Sequence, residues 1–268
     1  PVLRADARPE GRGRCAGMPV EQRAAGVQSV QRALDILEVV EAAGGGCSIS
    51  AMAAATGLPL PTIHRLVQTL TARGYLRQLP DRRYCLGSRL VPLGAGANAL
   101  LGERAAPVLR ELADGLGESA NLAVLAGERA EYVAQAPGVY SMRTFTEVGR
   151  RVPLYCTGVG KALLSTLGDD EARAILRRST LSIHTATTIV ELDALLDELA
   201  AIRARGYALD EGEMEVGVRC VAMPMSVPGM APMALSVSGP AVRMSDDLTG
   251  RAAPALIRAC ASLATALT

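Results

Sequence analysis

Residues 27 to 87 constrain the fold most strongly, because their apolar spacing predicts three short helices in a fixed order. The first helix has an apolar stripe with a helical repeat, formed by Val27, Val30, Leu34 and Leu37. A second helix is predicted at about 50–55, since Gly57 provides a stop after it. A third begins near Pro61, where a missing N–H is tolerated, and ends at Gly74.

Two short strands are predicted after the third helix, at about 75–78 and 83–86, joined by a turn at Pro80-Asp81. Helices followed by such a hairpin, in this order, are typical of a winged helix-turn-helix. The third helix is then the recognition helix. Its inward face is apolar and comprises Ile63, Leu66, Val67 and Leu70.

The outer face of the third helix and the arginines of the hairpin are the candidates for DNA contact. Side chains near the start of a recognition helix reach base edges, and Arg65 can pair bidentately with guanine. Arginines at a wing tip suit phosphates or the minor groove. The predicted DNA-binding set is Pro61, Thr62, His64, Arg65, Gln68, Arg77, Arg82 and Arg83. The alternative is a winged helix that contacts protein, or a solvated polar face.

The charge distribution supports DNA binding by one part of the chain only. The 268 residues have a net charge of +1, which argues against a protein that coats nucleic acid along its whole length. Residues 27–89 nevertheless contain seven arginines against four acids. Residues 1–26, rich in Arg, Gly, Pro and Ala, are expected to form a disordered arm. Its arginines could touch phosphates, but an extension ahead of a natural start at Met18 is the favoured explanation.

Other classes of protein are disfavoured by composition. The six cysteines lie far apart without a Cys-x-x-Cys pair, and there are two histidines, so neither a structural zinc site nor a disulfide scaffold is expected. No metal or cofactor is predicted, and a reducing cytoplasm is the expected location. There is no run of about 18 apolar residues to span a membrane, and the N-terminal arginines precede no secretory h-region.

The remaining chain predicts a helical linker at 90–118 and an α+β domain at 119–268, built around an antiparallel sheet. Pro92, Gly94, Gly96 and Pro107 are expected to break the linker into pieces. Strands are predicted at 121–126, 131–136, 142–148, 219–227 and 233–239. Helices are predicted at 158–167, 169–178, 188–205 and 246–266, with Thr188 and Glu191 as a capping box.

The segment "TGVGKALLS" has the look of a phosphate loop but lacks its required ends. Tyr155 and Ala162 stand where the Walker pattern needs Gly and Ser or Thr, so nucleotide hydrolysis is rejected. Glycines at the start of a helix nevertheless let an anion approach the backbone N–H groups and the positive end of the helix dipole. A small carboxylate is therefore predicted to bind at Thr157–Gly160.

Several motifs resemble the IclR family of bacterial transcription regulators over about residues 27–268. "VQSVQRALDILEVV", "ISAMAAATGLPLPTIHRLVQTLTARGYL" and "RRYCLGSRLVPLG" resemble its DNA-binding half. "PLYCTGVGKALLS", "IRARGYALDEGEMEVGVRCVAMPM" and "ALSVSGP" resemble its effector-binding half. The resemblance implies a winged helix joined by a linker helix to a GAF-like α/β effector-binding domain, in a homodimer or a dimer of dimers.

The resemblance also implies which residues line the effector pocket. They are Thr157, Gly158, Val159, Gly160, Asp210, Cys220, Ser236 and Ser238. The two serines stand two apart on a strand and share a face. Several of these residues have another explanation. Cys220 could be an inert core thiol, and the two serines could only satisfy neighbouring backbone groups. The nearby Glu211, Glu213 and Glu215 are expected in a solvated loop and not in the site. For the methionines at 223, 225, 230 and 233, core packing is favoured over an adaptable pocket wall.

The expected function is a repressor that releases operator DNA when a small organic acid binds, with an activator of the same family as the alternative. Similarity to allantoin- and glyoxylate-type repressors implies a two- or three-carbon acid such as glyoxylate. An enzyme with Cys220 as nucleophile beside His184 and Asp210 is a further alternative. No nucleophile signature surrounds this cysteine, so no catalytic activity is expected.

Overall fold

The computed structural model describes residues 27–140 and 146–268. The predicted arm at 1–26 lies outside the described residues, and so does most of the predicted strand at 142–148. Residues 146–148, which are described, form no strand and lead into a turn at Gly149, whose φ is +87°. In the described part of the chain, no helix is both long and apolar enough to cross a membrane.

The N-terminal module has the predicted order of elements. Its bounds are α1 Gln28–Ala42, α2 Ile49–Thr56, α3 Leu60–Ala72, β1 Leu76–Gln78 and β2 Tyr84–Leu86. Gly57, with a φ of +68°, ends α2 in the left-handed conformation that glycine adopts without a steric penalty. Cys47 exchanges backbone hydrogen bonds of 2.8 and 2.9 Å with Tyr84 and so adds an extended segment to the hairpin.

The core of this module differs from the predicted apolar stripe of α1. Ile36 and Val40 are buried, whereas Val27, Val30 and Leu34 are 68%, 54% and 52% exposed. The stripe prediction was wrong at these three positions because α2, α3 and β2 cover only the face that holds Ile36 and Val40. The amphipathic pattern therefore has a second apolar face, which no described residue covers.

A single helix, α4 (Leu90–Leu116), replaces the broken linker expected from the sequence. Its 27 residues correspond to about 40 Å. Pro92 lies in the first turn, where its absent N–H needs no partner, and the buried C-terminal half compensates for Pro107. The buried residues of that half are Ala105, Val108, Leu109, Leu112 and Ala113.

The C-terminal part contains one antiparallel six-stranded sheet with strand order β5-β4-β3-β8-β7-β6. The bounds are β3 Ser119–Ala126, β4 Arg129–Ala136, β5 Arg151–Pro153, β6 Ala208–Glu211, β7 Val218–Met225 and β8 Met233–Pro240. The prediction missed β5 altogether, because its three residues, Arg151–Pro153, show no alternation and no glycine-bounded hairpin marks them.

Helices cover both faces of this sheet. One face packs against α5 (Gly158–Ser165) and α7 (Leu192–Arg205), with α6 (Asp169–Arg178) outside them. The other packs against α4 and α8 (Asp246–Leu267), and its core contains Met223, Met225 and Met233. These methionines therefore have the core-packing role favoured above, on the face opposite Cys220.

The predicted capping box is wrong, because α7 begins four residues later than expected, at Leu192. The Thr188 hydroxyl instead accepts the N–H groups of His184 and Thr185 at 3.0 and 2.8 Å. It also donates to the Glu213 carbonyl at 2.7 Å. Residues 184–188 thus form a hydrogen-bonded loop that fixes the backbone after β6.

Candidate DNA-contact surface and effector cavity

The outer face of α3 is polar and exposed. Ile63 and Val67 are buried and fix how the helix rotates about its axis. His64, Arg65 and Gln68 are then exposed, Thr62 is half-buried, and Pro61 stands exposed in the first turn. The Ser48 hydroxyl accepts the N–H of Ala51 at 3.1 Å and so caps α2, the helix that packs behind α3. This arrangement leaves the predicted reading residues accessible to a major groove.

The three wing arginines have different surroundings. Arg77 is exposed on β1, and Arg82 holds the turn with a φ of +65°. Arg83 donates to the Asp81 carboxylate at 2.6 Å, and this contact lowers the pKa of Asp81. Because the pair is exposed to solvent, it is weak and screened by salt. Arg83 must exchange Asp81 for a phosphate if it contacts DNA.

Three effector candidates form one row across neighbouring strands. Asp210 on β6 pairs in register with Cys220 on β7, which pairs with Ser238 on β8. Residues opposite each other in antiparallel strands project from the same face of the sheet. The row therefore presents a carboxyl, a thiol and a hydroxyl beneath the start of α5. Spacing alone did not reveal this, since the three residues come from separate strands.

A cavity of about 60 Å³ lies over this row. Its volume suits a ligand of only about four to six non-hydrogen atoms, since one water needs about 10–15 Å³. The lining residues are Tyr132, Thr146, Arg150, Val152, Thr157, Gly158, Asp210, Met214, Glu215, Val218, Cys220 and Ser238. Val159, Gly160 and Ser236 belong to the predicted set but do not line it. Arg150 and Thr146 were missed, because the segment before β5 was expected to form a strand at 142–148 and not a loop over the cavity.

The close approach of α5 to the sheet requires glycine at residue 158. A Cβ atom there would lie 2.9 Å from Cys220 Sγ and 3.3 Å from Cys220 Cβ. Thr157 caps the helix: its hydroxyl accepts the N–H of Gly160 at 3.1 Å and donates to the Pro153 carbonyl at 2.7 Å. The Gly158 N–H lies near Asp210 and opposes the rise in the pKa of that carboxyl.

Asp210 is buried, and burial is the main reason why its pKa lies above the ordinary value. Its carboxylate accepts the N–H of Glu213 at 2.8 Å, and Lys161 is close enough to oppose the shift. A larger fraction of Asp210 is therefore protonated at mildly acidic pH than for an exposed aspartate. A protonated Asp210 donates a hydrogen bond to an anion, whereas the ionised form repels it.

Glu213 is buried, so the prediction that it belongs to a solvated loop was wrong. It forms an ion pair with Lys161, the single lysine of the chain, and Glu198 lies 3.6 Å from the same ammonium. Burial raises the pKa of Glu213. The sequence gives no local signal for this pair, since 52 residues separate its partners.

The arrangement around Cys220 is unsuited to nucleophilic catalysis. Burial raises the pKa of its thiol, the opposite of the activation that a nucleophilic cysteine needs. The His184 ring contacts the Tyr155 hydroxyl at 3.1 Å and does not line the cavity. All five cysteines in the described ranges are unpaired thiols.

Comparison with known proteins agrees with both halves of the structure. Residues 29–80 match the IclR helix-turn-helix domain, and residues 97–265 match the C-terminal domain of bacterial IclR regulators. The transcriptional regulator BhcR of Paracoccus denitrificans is 36% identical over 94% of this chain and 91% of its own length. The repressor AllR of Escherichia coli is 33% identical over 85% of each chain.

Among solved structures, the crystal structure of Thermotoga maritima IclR superposes with a TM-score of 0.61 at 25% identity. The match covers 88% of this chain and 97% of that one. The curated relatives named above are transcription regulators and not enzymes. The chain therefore belongs to the IclR family of DNA-binding bacterial transcription regulators.

Proposed function

We propose that this regulator is a repressor that binds operator DNA through α3 and the β1–β2 wing and leaves it when a small organic acid binds. The observation that carries the first half is the exposure of His64, Arg65 and Gln68 beside the buried Ile63 and Val67. An outward Arg at the start of a recognition helix can read a guanine bidentately. Arg77 and Arg82 supply phosphate contacts beside it.

The cavity over Asp210, Cys220 and Ser238 supports a small acid as the effector. Its volume of about 60 Å³ has room for a two- or three-carbon acid such as glyoxylate. Arg150 and the Thr146 hydroxyl line it together with Ser238, so a carboxylate finds a cation and hydroxyl donors. The relative AllR is named a repressor, which favours repression over activation for this protein.

A homodimer, or a pair of such dimers, is the assembly that we infer. Val27, Val30 and Leu34 on α1 are exposed apolar residues, and so are Val91 and Leu93 on α4. Exposed apolar surface of this extent on the DNA-binding half is typical of an interface. Two copies joined there would present two recognition helices to a palindromic operator. The unpaired cysteines in the described ranges fit a protein that binds DNA in a reducing cytoplasm.

A mobility-shift assay with the DNA upstream of the protein's own gene tests this function. We expect specific binding whose affinity falls steeply with salt, in proportion to the phosphates neutralised. Glyoxylate, pyruvate, allantoin and aromatic acids are then added separately, and we expect one of the small acids to release the DNA. Failure to bind any upstream fragment at low salt would contradict DNA binding. Enhanced binding with every active acid would indicate an activator or co-repressed protein.

A further inference from the structure

Asn121 lies on β3, the strand next to β8, on the same face of the sheet as the effector row, and does not line the cavity. It is fully buried, and it pairs in register with Ser236 on the neighbouring strand. Its side-chain nitrogen lies 3.5 Å from Ser236 Oγ and 3.3 Å from Ser238 Oγ. One amide therefore bridges both serines of the site, although more than a hundred residues separate it from them.

The direction of these hydrogen bonds decides what the serines can offer a ligand. An amide NH₂ donates two hydrogen bonds, and a serine hydroxyl has one proton and two lone pairs. Because Asn121 donates to both serines, neither serine proton is used in these contacts. The proton of Ser238, which lines the cavity, is therefore available to a ligand.

The opposite amide orientation would have the opposite consequence. With the amide oxygen toward the serines, both hydroxyls would donate to Asn121 and present only lone pairs to the cavity. In the structure, the Asn121 oxygen is instead buried without a hydrogen-bond partner. A buried amide oxygen in that state is costly, and each such group in a protein calls for an explanation.

We propose that Asn121 is a positioning residue that makes Ser238 a hydrogen-bond donor and so selects ligands with an acceptor oxygen, a carboxylate or a carbonyl, over alcohols and amines. This inference rests on the proposed effector function of the cavity. It assigns a role to a residue that does not contact the ligand and lies outside the Thr157–Gly160 segment. The same amide also contacts Ser236, so it fixes two serines on one face of β8.

A double-mutant cycle separates positioning from a general structural effect. We expect Asn121→Ala to weaken glyoxylate binding about tenfold by calorimetry, since one hydrogen bond to a charged ligand is lost. In a Ser238→Ala background, the same change should have less than about a twofold effect, because the residue acts through Ser238. Gln135→Ala, the amide in register with Asn121 on β4, is the matched control and should bind as wild type.

Asn121→Asp covers the case in which Asn121→Ala does not fold. It preserves the shape and, when ionised, only accepts hydrogen bonds, so both serine protons turn toward residue 121 and binding of glyoxylate and pyruvate should fall more than tenfold. Operator affinity without effector and the unfolding temperature report folding. Wild-type affinity in a folded Asn121 variant, or additive losses in the cycle, would overturn the inference alone. Two other results would instead contradict the proposed effector cavity, and this inference with it. The first is that wild type binds neither glyoxylate nor pyruvate. The second is that Ser238→Ala binds them as tightly as wild type.

Discussion

Lys161 on α5 and Glu213 form a buried ion pair near the effector row, with side chains only 2% and 5% exposed. The ammonium also lies 3.6 Å from Glu198, which Arg205 contacts at 2.7 Å. The pair joins α5 to the loop after β6, and Asp210 accepts the Glu213 N–H. The buried charges therefore connect the helix over the cavity to the strand that supplies its carboxyl group.

Lys161→Met should destabilise the protein by about 3–5 kcal/mol, because it leaves Glu213 buried without its partner. Adding Glu213→Leu should recover part of this loss, since the unpaired charge is then absent. Urea unfolding followed by circular dichroism gives both free energies. Arg178→Met, which breaks the exposed contact with Glu128, is the control and should cost under about 1 kcal/mol. Wild-type stability of Lys161→Met would show that the pair contributes nothing.

Arg65→Ala should weaken operator binding by about 1–3 kcal/mol and relax the preference at one base pair. The reason is the loss of a bidentate contact to guanine, for which the exposed position on α3 is suited. Fluorescence anisotropy with a set of singly substituted duplexes measures both effects. Arg177→Ala removes an exposed arginine from α6 and should change neither. Equal losses on every duplex would make Arg65 a phosphate contact and not a reader.

Gly158→Ala should weaken effector binding and destabilise the protein by about 1–3 kcal/mol, since the added methyl meets Cys220 Sγ at 2.9 Å. Removing the sulfur with Cys220→Ala should restore part of the stability. Gly250→Ala within α8 meets nothing within 4 Å and should leave effector binding unchanged. Thermal unfolding and calorimetry report the two quantities. A Gly158→Ala protein that binds glyoxylate like wild type would mean that α5 does not approach the sheet so closely.

Acidification should strengthen effector binding through Asp210. Burial raises its pKa, so as the pH is lowered Asp210 gains a proton before an exposed aspartate would. The effector carboxylate, with a pKa below about 4, stays ionised and loses a repulsive neighbour. Affinity should therefore fall as pH rises, and Asp210→Asn should flatten the profile. Glu211→Gln, the neighbouring acid on β6, is the control; an unchanged slope in Asp210→Asn would contradict the assignment.

The sequence predicted the winged helix well because its signals are local. Gly57 and Gly74 mark helix ends, and α2 and α3 begin and end within two residues of expectation. The stripe of α1 was the exception. Its spacing identifies a helix, but only the neighbouring helices determine which apolar face they cover.

The effector site could be predicted only in part, because its contacts are distant in sequence. The resemblance to the IclR family implied both serines, but no pattern in the sequence indicates the bridging Asn121, which lies 115 residues from Ser236. Glu213 was predicted to lie in a solvated loop, because a charged side chain is rarely buried without a partner. No local sequence pattern identifies Lys161 as that partner. The continuous α4 likewise depends on packing against the sheet, which outweighs the local preference of Gly94, Gly96 and Pro107.

The most direct test measures the release of operator DNA while the effector is titrated. A fluorescent duplex from upstream of the gene is saturated with protein, and glyoxylate or pyruvate is titrated while anisotropy is recorded, for wild type and for Ser238→Ala. We predict that the acid releases the duplex from wild type, and that Ser238→Ala binds the duplex equally well but needs about tenfold more acid. A duplex held at every acid concentration by wild type, or released identically from both proteins, would contradict control of α3 by this cavity.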